Sequence, residues 1–507
     1  MSLHRVARFA DVPEDRGLQV EIGDCKIVLL RTNGQLRAFQ GECPHAGAPL
    51  ADGALCHGRL ICPWHKAAFR AEDGALCEPP ALDSLKRYPL ELRGDEVWVD
   101  DQPLPDAHTP PADDPRTFVI VGAGAAGTAC AAALRDKGFG GRIVMIDREA
   151  DAGYDRTVLS KFVLAGEMTA QETPPLRNED FYKEQRIERQ QGEITALDAS
   201  AKTLHLHDGQ SLRYDAAVLA TGGEPNPLQL PGADLPQVFV LRSKAQAEQI
   251  MRAARPEQRA VIIGDSFIAL ECASALRQFG LDVTVIARHA IPFAAQFGET
   301  VGKAIRALHE QHGVKFITDH EAREITGDGN VEAVLLDNGL RLSADLVLAG
   351  VGVHPATEAF ASLSREKDQS LRVDASLRVA DGLWAIGDIA TFILNGQPQR
   401  IEHWRLAQQH ARIAAANMLG ADEHYLDVPF FWTWHFGRNY DYLGHAEHWD
   451  QIEFIGEPEH PPFLGLFGRN GRVVAAVACE REREMAMLAE RMKQPLAMEE
   501  AWKLIRD

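Results

Sequence analysis

Phe118-Val119-Ile120-Val121 runs into Gly122-Ala123-Gly124-Ala125-Ala126-Gly127, and the glycine turn opens an alanine-rich stretch, TACAAALRDKG. The apolar run has the character of a buried strand and the alanines that of a helix. A second apolar run, Arg142-Ile143-Val144-Met145-Ile146-Asp147, ends on an acid twenty residues past Gly127. A lone Gly-x-Gly-x-x-Gly is weak evidence. Between a strand and a helix, with an acid at this distance, it is the full context of a dinucleotide site. Gly122, Gly124 and Gly127 let the backbone close on a pyrophosphate at a helix N-terminus, and Asp147 can accept from a ribose hydroxyl.

Downstream the pattern returns at Val261-Ile262-Ile263-Gly264-Asp265-Ser266-Phe267-Ile268-Ala269-Leu270-Glu271, with a second strand over Asp282–Ile286. Two such folds mean two nucleotides, or one nucleotide and a duplicated scaffold. The second copy departs from its pattern. Ser266 stands where a second glycine is expected and Ala269 where a third is, and no acid ends the strand, which runs Ile286-Ala287-Arg288-His289. Serine adds a Cβ where the backbone should approach the pyrophosphate. Arg288 could meet a 2′-phosphate, so the choice between NADH and NADPH stays open.

Upstream lies Gln102 to Arg116, which holds five prolines among Asp and Ala and reads as a semi-extended linker. Ahead of it, residues 1–102 read as short strands with turns at Asn33-Gly34, Asp52-Gly53, Asp73-Gly74 and Arg93-Gly94, the pattern of a small all-β module. Within it sit Cys43-Pro44-His45 and Cys62-Pro63-Trp64-His65. Thiolates Cys43 and Cys62 would ligate one iron and imidazoles His45 and His65 the other, the Rieske arrangement of a [2Fe–2S] centre. A zinc knuckle uses the same residue types, but zinc ribbons seldom carry a glycine-rich segment after the first pair or an aromatic within the second. The segments CPHAGAPL and CPWHKAAF resemble those of soluble Rieske ferredoxins. The extra loop cysteines that form a bridge in membrane-bound respiratory Rieske proteins are missing. The six other cysteines show no disulfide spacing, which favours a reducing compartment.

The two glycine motifs, with Leu219-Ala220-Thr221-Gly222, Gly350-Val351-Gly352 and Gly387-Asp388 between and after them, resemble the FAD-dependent pyridine-nucleotide reductases over about 117–424. The segment Tyr154–Lys161 looks like that of oxygenase-coupled ferredoxin reductases and apoptosis-inducing-factor-like flavoproteins. With the cluster module in front, the chain is most similar to Rieske-containing apoptosis-inducing-factor-like oxidoreductases. The resemblance implies FAD at the first site, with Asp388 on the ribityl chain, the helix after Glu402-His403-Trp404 aimed at the flavin pyrimidine edge, and Trp432 close by. Its cofactor set takes in Arg156, Ile194, Thr221 and Gly222 for the flavin. For the nicotinamide nucleotide it takes in Gly264, Ser266, Ala269, Arg288 and Gly352. Lys161 and Glu271 are implied as a charged pair at the reactive ring, both binding and catalytic. Disulfide reductases of this fold carry a cysteine pair beside the flavin, whereas 154–166 here contains none.

At 507 residues the chain is too long for one core. The expected architecture is a multidomain chain: an all-β Rieske domain (1–102), the linker (103–116), an FAD-binding Rossmann-like domain in two parts (117–241 and 355–424), an NAD(P)-binding one (242–354), and a small α+β C-terminal domain (425–507). A net charge of −20 disfavours nucleic acid as a partner. No apolar run reaches eighteen residues, so no membrane span is expected, and the N-terminus carries no export signal, so the expected location is cytoplasmic. The function expected is an NAD(P)H-dependent FAD oxidoreductase that feeds a fused Rieske cluster and, through it, an external acceptor protein such as an oxygenase system. The alternative is a redox-responsive signalling flavoprotein that forms a long-lived reduced complex. A terminal Rieske oxygenase is disfavoured, because two nucleotide folds stand where its mononuclear-iron domain should be. Homodimerisation, and whether the cluster module docks on its own flavin or a neighbour's, are left open by the sequence.

Overall fold

The structure, a computed structural model, describes residues 2–105 and 113–506. Half of the proline-rich stretch expected at 103–116 falls on 106–112, outside the described residues. Phe118 to Val121 does form the centre of a sheet. The strand Thr117–Val121 lies between Arg142–Asp147 and Ala216–Leu219, both parallel to it, and Ile187–Gln191, Leu383–Ala385 and the antiparallel Arg378–Ala380 complete six strands. Strands buried on both faces need continuous apolar runs, and Phe118–Val121 and Ile143–Ile146 are all at most 4% exposed.

The alanines of helix Ala125–Asp136 let it lie close to helix Trp404–Met418 over this sheet. Gly127 sets the approach of helix to strand: a Cβ there would fall 1.8 Å from the Gly122 carbonyl oxygen. Gly127→Ala is therefore expected to yield protein that is destabilised by about 1–3 kcal/mol or more and holds little flavin, as read from the melting temperature and the absorbance of the purified material.

The second copy gives a five-stranded parallel sheet in the order Val238–Phe239, Leu346–Ala349, Arg259–Ile263, Asp282–Ala287, Lys315–Thr318. Its first crossover helix, Phe267–Phe279, is capped by Ser266, whose Oγ accepts from Ala269 N–H at 3.3 Å and donates to Gly350 O at 2.9 Å. The serine that breaks the glycine pattern is thus a helix cap.

The N-terminal module is all β, in sheets of three, four and four strands. The C-terminal segment forms a five-stranded antiparallel sheet, Phe430–His435 at one edge and Gln451–Glu457 at the other, followed by helices Glu482–Arg491 and Met498–Arg506. Met485 and Leu488 of the first helix are fully buried, as core side chains. The turns at Asn33-Gly34, Asp73-Gly74 and Arg93-Gly94 are present, each with its glycine at positive φ. Asp52-Gly53 differs: Leu50–Asp52 is a single 3₁₀ turn and Gly53 is extended, with φ −76°. Among the described residues no helix is long and apolar enough to cross a membrane.

The all-β module is seated on the rest of the chain through buried charge. Lys66, fully buried, pairs with Asp441 at 2.7 Å. Glu78 meets Arg405, Lys493 and, at 2.8 Å, Arg59, while Gln409 Nε2 donates to it at 3.2 Å. Arg405 also donates to Pro79 O at 3.0 Å and Lys66 O at 3.1 Å.

Candidate functional site

A cleft of about 520 Å³ opens between the two parallel sheets and the C-terminal sheet. Fifteen of the nineteen residues expected at the two nucleotides line it: Gly122, Gly124, Asp147, Arg156, Lys161, Ile194, Thr221, Gly222, Ser266, Glu271, Gly352, Asp388, Glu402, His403 and Trp432. Gly127, Gly264, Ala269 and Arg288 do not. The first three are packed between loop and helix, and Arg288 lies exposed at the end of its strand.

The cleft suits a dinucleotide on its own geometry. A Cβ built on Gly124 meets nothing within 4 Å, so the glycine loop faces open space there. Asp147 sits at the end of its strand, with Oδ1 accepting from Glu149 N–H at 2.8 Å and Oδ2 from Ala123 N–H. Farther along, Asp388 is held at 3.1 Å by Arg242, a lining residue that sequence reasoning missed. Arg156 donates to Glu149 and to Arg242 O, and its cation lies over the Tyr154 ring. Glu402 is raised above the ordinary carboxylate range, by burial and then by the charge of Asp388. His403 is pushed down to about 3, chiefly by burial, and is neutral at physiological pH.

Lys161 and Glu271 come together. Lys161 lies on a π-turn, Leu159–Val163, and Glu271 in the first turns of helix Phe267–Phe279. Both are buried, and Nζ stands 2.8 Å from Oε2. Buried charges must be paired and hydrogen-bonded, and the rest of the glutamate is satisfied too. Ser160 Oγ donates to Oε2 at 2.5 Å; Thr433 Oγ1 donates to Oε1 at 2.8 Å, and Trp434 N–H at 3.3 Å. Behind Thr433 lie His435, at 3.0 Å, and His309, with its Nε2 3.2 Å from His435 Nδ1, all three fully buried. His435 is held down to about 3, chiefly by burial and then by the charge of Lys161. Nothing in the sequence flagged Ser160 and Thr433, which meet Glu271 only through the fold, or His435 and His309, which stand behind Thr433.

The four Cys and His residues of the N-terminal module converge from two loops built alike. In each, the cysteine N–H donates at 2.8 Å to the carbonyl five residues on, Cys43 to Ala48 and Cys62 to Ala67. The fourth residue after the cysteine has positive φ in both, Gly47 at 76° and Lys66 at 61°. The thiols of Cys43 and Cys62 hydrogen-bond one another, and backbone N–H groups of the following residues point at each sulfur. His45 and His65 face each other across 3.1 Å between Nδ1 atoms. A thiol pair beside an imidazole pair suits a two-iron cluster with a different ligand type on each metal, and amides aimed at sulfur are the hydrogen bonds such clusters use. Among the described residues no three His, Cys, Asp or Glu side chains group as ligands of one ion.

The two sites touch. The His65 ring lies 4.2 Å, centroid to centroid, from the ring of Trp432, which lines the cleft. All eight cysteines are free, so no disulfide stands between them.

Comparison with known proteins agrees with this geometry. The family described as pyridine nucleotide-disulphide oxidoreductase matches residues 116–411, and that described as Rieske [2Fe-2S] domain matches residues 2–89. Apoptosis-inducing factor 3 of Homo sapiens is 31% identical over 506 residues, covering 96% of this chain and 83% of its own. The anthranilate 1,2-dioxygenase system ferredoxin--NAD(+) reductase component of Burkholderia cepacia is 34% identical over 374 residues, 73% of this chain and 92% of its own. Among solved structures, the covalent putidaredoxin reductase–putidaredoxin complex matches with a TM-score of 0.72 at 29% identity, over 77% of this chain and 96% of that one. The two matched families bring FAD, a nicotinamide nucleotide and a [2Fe–2S] cluster as cofactors. The chain belongs to the pyridine nucleotide-disulphide oxidoreductase family, as an electron-transferring flavoprotein without a redox disulfide, and carries a Rieske [2Fe-2S] domain in front of it.

Proposed function

We propose that this chain oxidises a nicotinamide nucleotide at its own flavin and passes the electrons through its own cluster to an external acceptor protein of the oxygenase type. The observation that carries this reading is the contact of His65 with Trp432. Electron tunnelling falls steeply with distance, and a ligand-bearing ring against a ring of the flavin cleft leaves little distance to cross. When bound, FAD takes up two electrons together as hydride and gives them up singly, which suits a one-electron cluster.

In this reading Gly122 and Gly124 take the pyrophosphate, Asp147 the adenosine ribose and Asp388 the ribityl chain. With Glu402 and His403 before it, the N-terminal end of helix Trp404–Met418 would hold the flavin ring and would favour negative charge there through its positive dipole end. Lys161, fixed by Glu271, offers an ammonium group at the same ring, and Cys43, Cys62, His45 and His65 hold the cluster. The modules take the limits 1–102, 117–241 with 355–424, 242–354 and 425–507. The acceptor class rests on the dioxygenase systems named for its relatives.

Anaerobic titration of the purified protein with NADH and NADPH tests the reading. Bleaching of flavin absorbance followed by a reduced-cluster EPR signal is expected. A bleached flavin beside a silent, iron-loaded cluster overturns it.

A further inference from the structure

The two nucleotide folds correspond residue by residue, and the correspondence locates a carboxylate that the second strand itself lacks. Val121 pairs with Ile146 in one sheet and Ile263 with Ile286 in the other. Gly122 N–H donates to Ile146 O at 2.7 Å, and Gly264 N–H to Ile286 O at 2.9 Å. Ala123 is thus the counterpart of Asp265, Asp147 of Ala287, and Glu149 of His289. In the first fold the carboxylate of Asp147 starts at the strand end and accepts from the N–H of Ala123, in the loop, and of Glu149, two residues on. In the second fold the carboxylate starts in the loop. Asp265 Oδ2 accepts at 2.9 Å from the N–H of His289, the counterpart of Glu149, and meets His289 Nδ1 at 2.9 Å. The space between glycine loop and strand end therefore holds a carboxylate in both folds, supplied from opposite sides.

We propose that Asp265 accepts the adenosine ribose 2′-hydroxyl of the nicotinamide nucleotide and so makes the chain select NADH over NADPH. This rests on the reading of the second fold as the nicotinamide site and fills the choice that reading leaves open. The Asp265 side chain is 10% exposed, and its two bonds to His289 fall on Oδ2. Oδ1 accepts from no described residue and is left for a hydroxyl. A 2′-phosphate would set a dianion beside this fixed carboxylate, and rejection by like charge is a common source of specificity. Arg288 is the cation that would offset it. It is exposed and bonded to no described residue, so recruiting it costs side-chain freedom. His289 already turns Nδ1 to Asp265.

Isothermal titration of the holoprotein with ADP-ribose and with 2′-phospho-ADP-ribose tests the assignment without moving an electron, because neither ligand carries a nicotinamide. ADP-ribose is expected to bind about tenfold tighter or more. Asp265→Asn keeps an acceptor for His289 N–H and removes the charge, and should bring the ratio of the two affinities toward one. Equal or tighter binding of the 2′-phosphate by the unaltered protein overturns the inference, as does an unchanged ratio in Asp265→Asn. In either case NADH or NADPH still bleaches the flavin and the functional reading stands. If neither ligand binds and neither dinucleotide bleaches the flavin, that reading falls and this inference with it.

Discussion

Replacing His65 by alanine is expected to reduce electron delivery beyond the flavin to background while leaving hydride uptake by the flavin intact. The variant removes one of two imidazoles that face each other at 3.1 Å and, with it, the ring that lies against Trp432. An iron left with one nitrogen ligand cannot give the Rieske signal. The flavin cleft is built by other residues. The glycine loop, Asp147, Asp388 and the Lys161–Glu271 pair make no contact with His65 that their own geometry depends on. The module also keeps its seat, because Lys66–Asp441 and the ion pairs of Glu78 do not use the imidazole. Stopped-flow bleaching by the preferred nucleotide and EPR of the reduced protein read the two halves separately. Loss of both would mean that the cleft needs the cluster in order to form.

What the sequence disclosed and what it hid divide along one physical line. Features written into consecutive residues were legible. The apolar run, glycine turn and alanine helix of 118–137 gave both strand and crossover, and the strand Arg142–Asp147 has the limits read from its apolar pattern. The Cys/His loops were legible as a pair that brings two thiols and two imidazoles together, because each loop carries one of each. The C-terminal sheet was harder. Strand His460–Arg469 lies inside the sheet yet opens with Pro461-Pro462, which argues against a strand until the prolines are seen to sit at its entry.

Contacts between distant segments left no local trace. Lys66 and Asp441 are 375 positions apart, and Glu78 and Arg405 are 327. A lysine after a histidine, or a glutamate before two prolines, reads as ordinary surface until the fold buries it. For the same reason the seat of the all-β module could not be chosen from the sequence, and Asp265 could not be matched with His289, just past a strand end and 24 residues away. Positive φ at Lys66 belongs to the same class: its loop counterpart is Gly47, and the lysine holds that conformation while its Nζ folds back on the carbonyls of Pro63 and Trp64.

Glu78→Gln should loosen the cluster module from the reductase and cost about 3–5 kcal/mol, the usual loss when one partner of a buried ion pair is removed. Burial works to raise the Glu78 carboxyl, but Arg405, Lys493 and Arg59 together hold it down to about 2 from an ordinary 4.5. Its folded-state value is depressed, so the stabilisation is present in full above about pH 4.5 and is lost as pH falls toward 2. At neutral pH the variant therefore shows the whole deficit. Glutamine keeps the shape and still accepts a hydrogen bond, yet it leaves the Arg405 side chain, 3% exposed, without its ion-pair partner. The cation cannot rehydrate while the module stays seated, and the cheapest relief is for the module to lift. Lifting separates His65 from Trp432, so the rate of cluster reduction should fall far more than the rate of flavin bleaching. Added salt should scarcely slow cluster reduction in the unaltered protein, since buried pairs are screened little. A variant that melts as before and fills its cluster as fast would place the hold of the module elsewhere, on Lys66 and Asp441.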